Sequence, residues 1–583
     1  MVGHKAVPLP VTNAIYDVTI EATMKTARTG ADYVVEALEQ YGVEHVFGNP
    51  GTTELPFVQA LTESSIEYVL GLHEDVAVGM AAGYASTRRY HSHHDDVTPL
   101  GVTNLHVAPG LGHGLGNVIG ASFAGAPLLV TAGNYSTDFQ HEEPILSGDL
   151  EVIVDQYTKW SAEVKHVDAL PTMLRRAVRY ALTPPTGPVF LSFPLDVMMG
   201  ELDAEVERLG SIPDAGRGDP DAIEAAATAL ADADEPAFVL GDDVARSGYD
   251  AVDAAVELAE ASGARVHGEF IPGEVAFPTE HPQWGHYVPG TERHYAEMLD
   301  TDTVCFIGCS SMTTSLGHDE PLLPADATIV EIGSNARELG KNRPADVAVI
   351  GDPGRVMAAL ADTVADRVSE RERRARLDSA LETIERIDER LRPAEPNPDD
   401  PRASKGELGR ALGETAADAL IVNEGVTSGR AVHYHVPAGP EEKLATKSGG
   451  LGYGLPAAIG AAIAERERPE PRDVVAFIGD GSYFYYPQTI YSAVRHDVDV
   501  TVIVADNRNY RILKDNTLRV LGGTEDDHEF VAMDFEPPLD VSANAESYGA
   551  SAELVDDPDQ IADAISEARA NEGPTVLDVL IHD

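Results

Sequence analysis

The stretch VVAFIGDGSYFYYPQTIYSAVRHDVDVTVIVADNRNY, residues 474–510, holds two short apolar strands with a helix-like segment between them. The first strand ends in Gly479-Asp480-Gly481-Ser482 and the second in Asp506-Asn507. Two parallel strands joined by one crossover helix place their carboxyl ends side by side. That edge of an open α/β sheet is where ligands bind. Asp480 and Asn507, 27 positions apart, therefore offer a carboxylate and an amide oxygen at neighbouring tips. Such a pair suits a hard cation such as Mg2+, which takes oxygen ligands and shares them with phosphates. Gly479 and Gly481 let the backbone approach a diphosphate closely.

Working outward, short strands alternate with helical stretches along most of the chain, which predicts parallel sheets built from βαβ units. Three α/β blocks are expected: 24–198, with strands near 45–49, 127–133 and 188–194; 218–365, with strands near 237–241, 304–308 and 328–333; and 404–583, with strands near 420–425, 474–481, 500–507 and 575–581. Residues 1–23 read as a leader, 199–220 as a turn-rich joint, and 366–403 as a charged helix running into a Pro/Asp-rich linker. At 583 residues the length suits about three or four domains.

The charge balance excludes some partners. Against 42 Lys+Arg stand 97 Asp+Glu, a formal net charge of −55. A surface this acidic repels phosphate backbones and anionic lipid, so neither nucleic acid nor membrane is an expected partner. Two cysteines, Cys305 and Cys309, make no disulfide framework and no zinc spacing. The N-terminus lacks a charged segment followed by an apolar one, and no run nears the ~18 apolar residues of a membrane span. A cytoplasmic protein is the expectation.

The 474–510 stretch resembles the signature of thiamine-diphosphate enzymes, GDG followed after some 25–30 residues by Asn-Asn. By that resemblance Asp480 and Asn507 give side-chain oxygens, and Asn509 its backbone carbonyl, to Mg2+. Gly479, Gly481, Ser482 and Tyr510 then contact the cofactor. Asp506 departs from the family, which usually has its first Asn there. GNPGTTELPF (48–57), LHEDVAVGMAAGYA (72–85), NLHVAPGLGHGLGN (104–117) and SGGLGYGLPAAIG (448–460) are similar to the decarboxylase and synthase branch. Their order and spacing are most like the benzoylformate decarboxylases. The resemblance implies three doubly wound parallel-sheet domains: pyrimidine-binding, central Rossmann-like and diphosphate-binding. It also implies a cofactor shared between chains, hence a homodimer or homotetramer.

The resemblance assigns further roles. Glu74 would activate the cofactor's pyrimidine, Leu451 would support the bent thiazolium, and the Gly449 carbonyl would hold the pyrimidine amino group. His106 and His281 would move protons on the intermediates, as a side chain titrating near neutrality can. Thr52 would touch the substrate carboxylate. His113, where the family commonly has Asn, and His286 lie close to these motifs. Ala445 and Asn516 stand where the benzoylformate decarboxylases carry aromatic residues, and a phenyl ring would lose stacking partners worth about 0.5–1.5 kcal/mol each. Lys447, Lys514 and Asp515 near the expected pocket mouth suggest a polar substrate group. GDDVARSG (241–248) is no dinucleotide fingerprint, so neither FAD nor NAD is expected.

The leading expectation is non-oxidative decarboxylation of a 2-keto acid to an aldehyde, with side carboligation. An acetolactate-synthase-like carboligase and a non-catalytic cofactor-binding paralogue are the alternatives. The acidic surface carries its own prediction. Molar ions shrink the screening length to about 3 Å and quench the self-repulsion. Activity and stability should require molar salt; full activity at ~50 mM salt would sink this expectation.

Overall fold

The computed structural model describes residues 28–309, 314–393 and 396–583; the leader expected over 1–23 lies outside them. Three six-stranded sheets, all parallel, follow one another along the chain. The first contains β1 (His45–Gly48), β2 (Glu67–Leu70), β3 (Gly101–Leu105), β4 (Leu128–Asn134), β5 (Ser161–Glu163) and β6 (Val189–Pro194). The central sheet contains β7 (Pro236–Leu240), β8 (Arg265–Gly268), β9 (Trp284–Tyr287), β10 (Thr303–Ile307), β11 (Thr328–Gly333) and β12 (Val347–Ile350). The third contains β13 (Leu420–Glu424), β14 (Lys443–Ala445), β15 (Val474–Gly479), β16 (Val500–Asp506), β17 (Ser551–Val555) and β18 (Pro574–Leu580).

The outer sheets repeat one topology. Their orders, β2-β1-β3-β4-β6-β5 and β14-β13-β15-β16-β18-β17, are the same when each is counted from its own first strand. The central sheet runs β12-β11-β10-β7-β8-β9, the order of dinucleotide-binding folds. In an open sheet the ligand crevice lies where the strand order reverses. For the third sheet that point lies between β13 and β15, beside the tip of β16. The expected three doubly wound domains are therefore present.

The charged helix expected after the central block is Glu370–Leu391, started by a reciprocal Ser369/Glu372 cap. It does not stand free. Arg376 is buried and donates to the carbonyls of Leu230, Ala231 and Ser262, which fastens the helix to the central domain.

The first and third domains meet through the helices Glu74–Ser92 and Gly454–Glu465, both buried along their length. Glycines bring their backbones into contact. A Cβ on Gly460 would lie 1.8 Å from the Met80 carbonyl oxygen, and one on Gly83 would lie 2.0 Å from that of Ala457. Gly460→Ala should therefore force the helices apart and lower stability by about 1–3 kcal/mol. Gly112→Ala, with open space around the new methyl group, should not. The urea unfolding midpoints of the two variants check this.

Candidate active site

The reversal point of the third sheet opens into a pocket. Its walls are the turn after β13, the Gly479–Ser482 tip of β15, the tip of β16 and the segment Asn509–Ile512; Leu451 lines it as well. Every residue lining it comes from the third domain.

Asp480 is buried at the start of the short helix Asp480–Tyr483. Its Oδ1 accepts the Gly481 N–H at 2.8 Å, while Oδ2 is buried and without a hydrogen-bond partner. Burial, then the neighbouring Asp506 carboxyl, pushes Asp480 up to about 8. Asp506 therefore sets a second acid beside Asp480, where an Asn would have brought no charge. Asn507 and Asn509 are buried next to them, and Asn509 Oδ1 also lacks a partner. Partnerless buried oxygens are rare and call for an explanation. A set of carboxylate and amide oxygens fits Mg2+. Gly481 lies against the Tyr510 ring, where a Cβ would come within 2.5 Å, so Tyr510 closes over the glycine tip.

Glu424, at the end of β13, was not anticipated from the sequence. It is buried and accepts the Gly452 N–H at 2.6 Å and the Gly454 N–H. Burial pushes its carboxyl up to about 7 against the pull of those donors. It pins the loop that carries Gly449 and Leu451. Gly449 has φ +73°, which a glycine adopts without strain, and nothing lies within 4 Å of where its Cβ would be.

A second cluster occupies the equivalent reversal point of the first sheet, between β1 and β3. His106 follows β3, and its Nδ1 lies 2.8 Å from Glu54 Oε2. The other Glu54 oxygen accepts the Thr53 hydroxyl at 2.7 Å and the Gly133 N–H at 2.9 Å. Glu54 is buried, while His106 is partly open. A Cβ on Gly51 would lie 2.1 Å from His106 Nδ1, so the glycine makes room for the ring. The Glu54 hydrogen bond, opposed by burial, raises His106 above the ordinary histidine value. Sequence reasoning singled out Thr52, which is exposed; the hydroxyl joined to this pair belongs to Thr53.

Glu74 is buried at the first position of its helix, and its Oε2 lies 3.3 Å from His113 Nδ1. The adjacent Asp75 accepts the Tyr486 hydroxyl at 2.6 Å, which ties this helix start to the third domain. Glu74, His106 and Thr52 do not line the third-domain cavity of their own chain. His281 sits in the central domain, edge-on to Phe277 and 3.5 Å from Glu260, and shares none of these contacts with His106. His286 stacks on Tyr434 and lies 3.2 Å from Asp388, a packing role.

Of the residues expected to make the pocket mouth polar, Lys447 is engaged elsewhere. Lys447 is buried 2.5 Å from Glu269 and 3.1 Å from Asp242, against the central domain. Lys514 pairs with Asp534 at 2.5 Å and Asp515 with Arg511 at 2.7 Å. The expectation of a charged substrate group loses Lys447 for this reason.

The chain matches three successive thiamine pyrophosphate enzyme domains: the N-terminal TPP binding domain over 28–158, the central domain over 223–360 and the C-terminal TPP binding domain over 426–579. It belongs to the thiamine pyrophosphate enzyme family. Benzoylformate decarboxylase of Pseudomonas aeruginosa is 30% identical over 561 residues, covering 95% of this chain and 99% of that protein. A probable acetolactate synthase large subunit of Methanocaldococcus jannaschii is 27% identical, covering 95% and 92%. Among solved structures, the thiamine diphosphate-dependent 4-hydroxybenzoylformate decarboxylase of Rhodococcus jostii superposes with a TM-score of 0.80 at 27% identity, over 95% of this chain and 99% of that one. The family's two cofactor-binding domains are thus the two that carry the clusters described above.

The Glu54–His106 pair predicts a pH effect. Its stabilising contribution is complete below the ordinary histidine value of about 6.5 and is lost as pH rises through the raised value. Glu54→Gln should lower the titration midpoint of His106, measured by NMR of the imidazole. An unchanged midpoint would show that Glu54 does not set it.

Proposed function

We propose that the protein carries out thiamine-diphosphate- and Mg2+-dependent, non-oxidative decarboxylation of a 2-keto acid, releasing CO2 and an aldehyde. The observation that carries this reading is the partnerless, buried Asp480 Oδ2 beside Asn507 and Asn509 at the reversal point of the third sheet. Those three residues would hold the cation, with Gly479, Gly481, Ser482 and Tyr510 around the diphosphate. When bound, thiamine diphosphate supplies the carbon that attacks the keto group and takes up the electron pair left by CO2. Glu74 would hold a proton at the pyrimidine. His106, fixed by Glu54, would give and take protons at the substrate-derived carbon and oxygen, and Thr52 would meet the substrate carboxylate. His281 would join them only through an arrangement that the single chain does not contain.

The cavity walls come from the third domain alone, and Glu74 and His106 belong to the first. That division supports assembly as a homodimer or homotetramer in which domains of two chains complete each site. Large apolar side chains left open, such as Val520 and Leu521 on the helix Arg511–Leu521 and Ile145 near β4, give self-association a surface. Among the described residues no helix is long and apolar enough to cross a membrane. A cytoplasmic location agrees with that.

Benzoylformate is the nearest named substrate, but its aromatic contacts are absent. Ala445 closes β14 and donates its N–H to the Gly273 carbonyl, and Asn516 lies beside Arg519. The similarity to an acetolactate synthase favours carboligation as the second reading.

A panel of 2-keto acids with Mg2+ and thiamine diphosphate in molar KCl should yield CO2 and aldehyde. Acetolactate from pyruvate as the main product would support the second reading. Glu74→Gln should lower turnover by about 10²–10⁴-fold with the fold intact. Wild-type turnover in that variant would overturn the assignment of Glu74.

A further inference from the structure

Asp583 grips both asparagines of the candidate cation site at once. Its Oδ1 accepts from Asn507 Nδ2 at 2.7 Å and its Oδ2 from Asn509 Nδ2 at 3.0 Å. A carboxamide has two faces, one a donor and one an acceptor, and nothing in its shape decides which way it turns. An ionised carboxylate has acceptors only. Each amide must therefore turn its nitrogen to Asp583 and its oxygen away from it. Lys405 lies 3.5 Å and Arg511 3.7 Å from the same carboxylate, which keeps the charge compensated.

The oxygens turned away from Asp583 are the ones short of partners. Asn509 Oδ1 is buried and has none. Asn507 Oδ1 keeps one long contact, 3.4 Å to the Asn509 N–H. Asp480 Oδ2, likewise partnerless, completes the group.

We propose that Asp583 is a positioning residue: it turns the Asn507 carboxamide with its oxygen free for a divalent cation, and through Asn509 Nδ2 it steadies the residue whose backbone carbonyl would complete the cation site. This rests on reading the cavity as the Mg2+–diphosphate site. Residues that orient metal ligands typically contribute 10–100-fold to metal affinity. Asp583→Asn keeps the shape but can donate as well as accept, so it no longer dictates the sense of the Asn507 amide; Asn509 Nδ2 also donates to the Asn507 carbonyl at 2.7 Å. Asp583→Ala removes the acceptor altogether. Asp583→Glu retains an acceptor-only group.

The test is calorimetric titration of Mg2+ into metal-free protein in the presence of thiamine diphosphate, beside the thermal midpoint of each metal-free variant. Asp583→Asn and Asp583→Ala should raise the Mg2+ dissociation constant by about 10–100-fold. Asp583→Glu should recover most of the loss, and the metal-free midpoints should stay together. Wild-type Mg2+ affinity in the Asn and Ala variants would overturn the inference. So would a loss of affinity matched by a fall in the metal-free midpoint and not recovered by Glu, because that is how a mere strut behaves. If the wild-type protein itself takes up no Mg2+, the reading of the cavity fails, and that result is distinct from the other two.

Discussion

Two helices in backbone contact hold the working parts of this chain in register. Gly79 lies against Pro456, Gly83 against Ala457 and Gly460 against Met80. Gly79 meets Pro456 near one end and Arg88 meets Glu467 beyond the other, so the helices run in the same direction and their N-terminal ends lie on the same side. One of those ends carries Glu74; the other begins directly after the Gly449–Gly452 loop. At the far ends the helices are tied by charge. Arg88 and His45 meet Glu467 at 2.6 and 2.9 Å, and His91 and Arg472 meet Glu465 at 3.1 and 2.5 Å. Removing one partner of such a buried pair would leave a charge uncompensated, which costs far more than the pair contributes. The glycines set the distance between the helices and the ion pairs set their register.

The central domain is joined to the same assembly by side chains. At the reversal point of its sheet, Gly241 approaches the Gly308 carbonyl so closely that a Cβ would lie 2.3 Å away. Near that point, Asp242 and Glu269 receive Lys447 from the third domain, and Glu274 receives Arg89 from the first at 2.6 Å. Three domains thus converge on one buried group of charges. Lys447 lies two positions before Gly449, so this contact also anchors the loop that reaches the cavity.

The parts legible in the sequence were those with a local signature. The runs VVAFI and VTVIVA became β15 and β16, with Gly479 paired to Ala505, so Asp480 and Asn507 do stand at neighbouring tips. Strands without an apolar run gave no such signal. β3 reads GVTNL, with Thr103 and Asn104 buried, and the edge strands β14 and β17 are a three-residue segment and a mostly exposed one. Individual acids were illegible for a different reason. Glu54, Glu424 and Asp583 are three of 97; Glu54 lies inside the 48–57 stretch, yet nothing there names its partner, and nothing near the other two separates them from solvated surface charges. Their roles come from contacts across 52, 28 and 76 positions. Lys447 was misplaced for the same reason: its neighbours in sequence belong to the loop that carries Leu451 to the cavity, while its partners in space belong to another domain.

The distribution of charge follows from these contacts. Basic residues are few, 42 against 97 acids, and several of them are committed to buried joints: Arg88, Arg89, Arg376 and Lys447 are all nearly inaccessible. Each is met inside by acids or carbonyls withdrawn from the surface with it. Dissolved ions act on the two populations unequally. Exposed charges farther apart than a screening length of about 3 Å in molar salt no longer repel one another, whereas pairs sealed from solvent are screened much less. Screening by concentrated salt thus weakens the repulsion between exposed acids more than it weakens the sealed joints between domains.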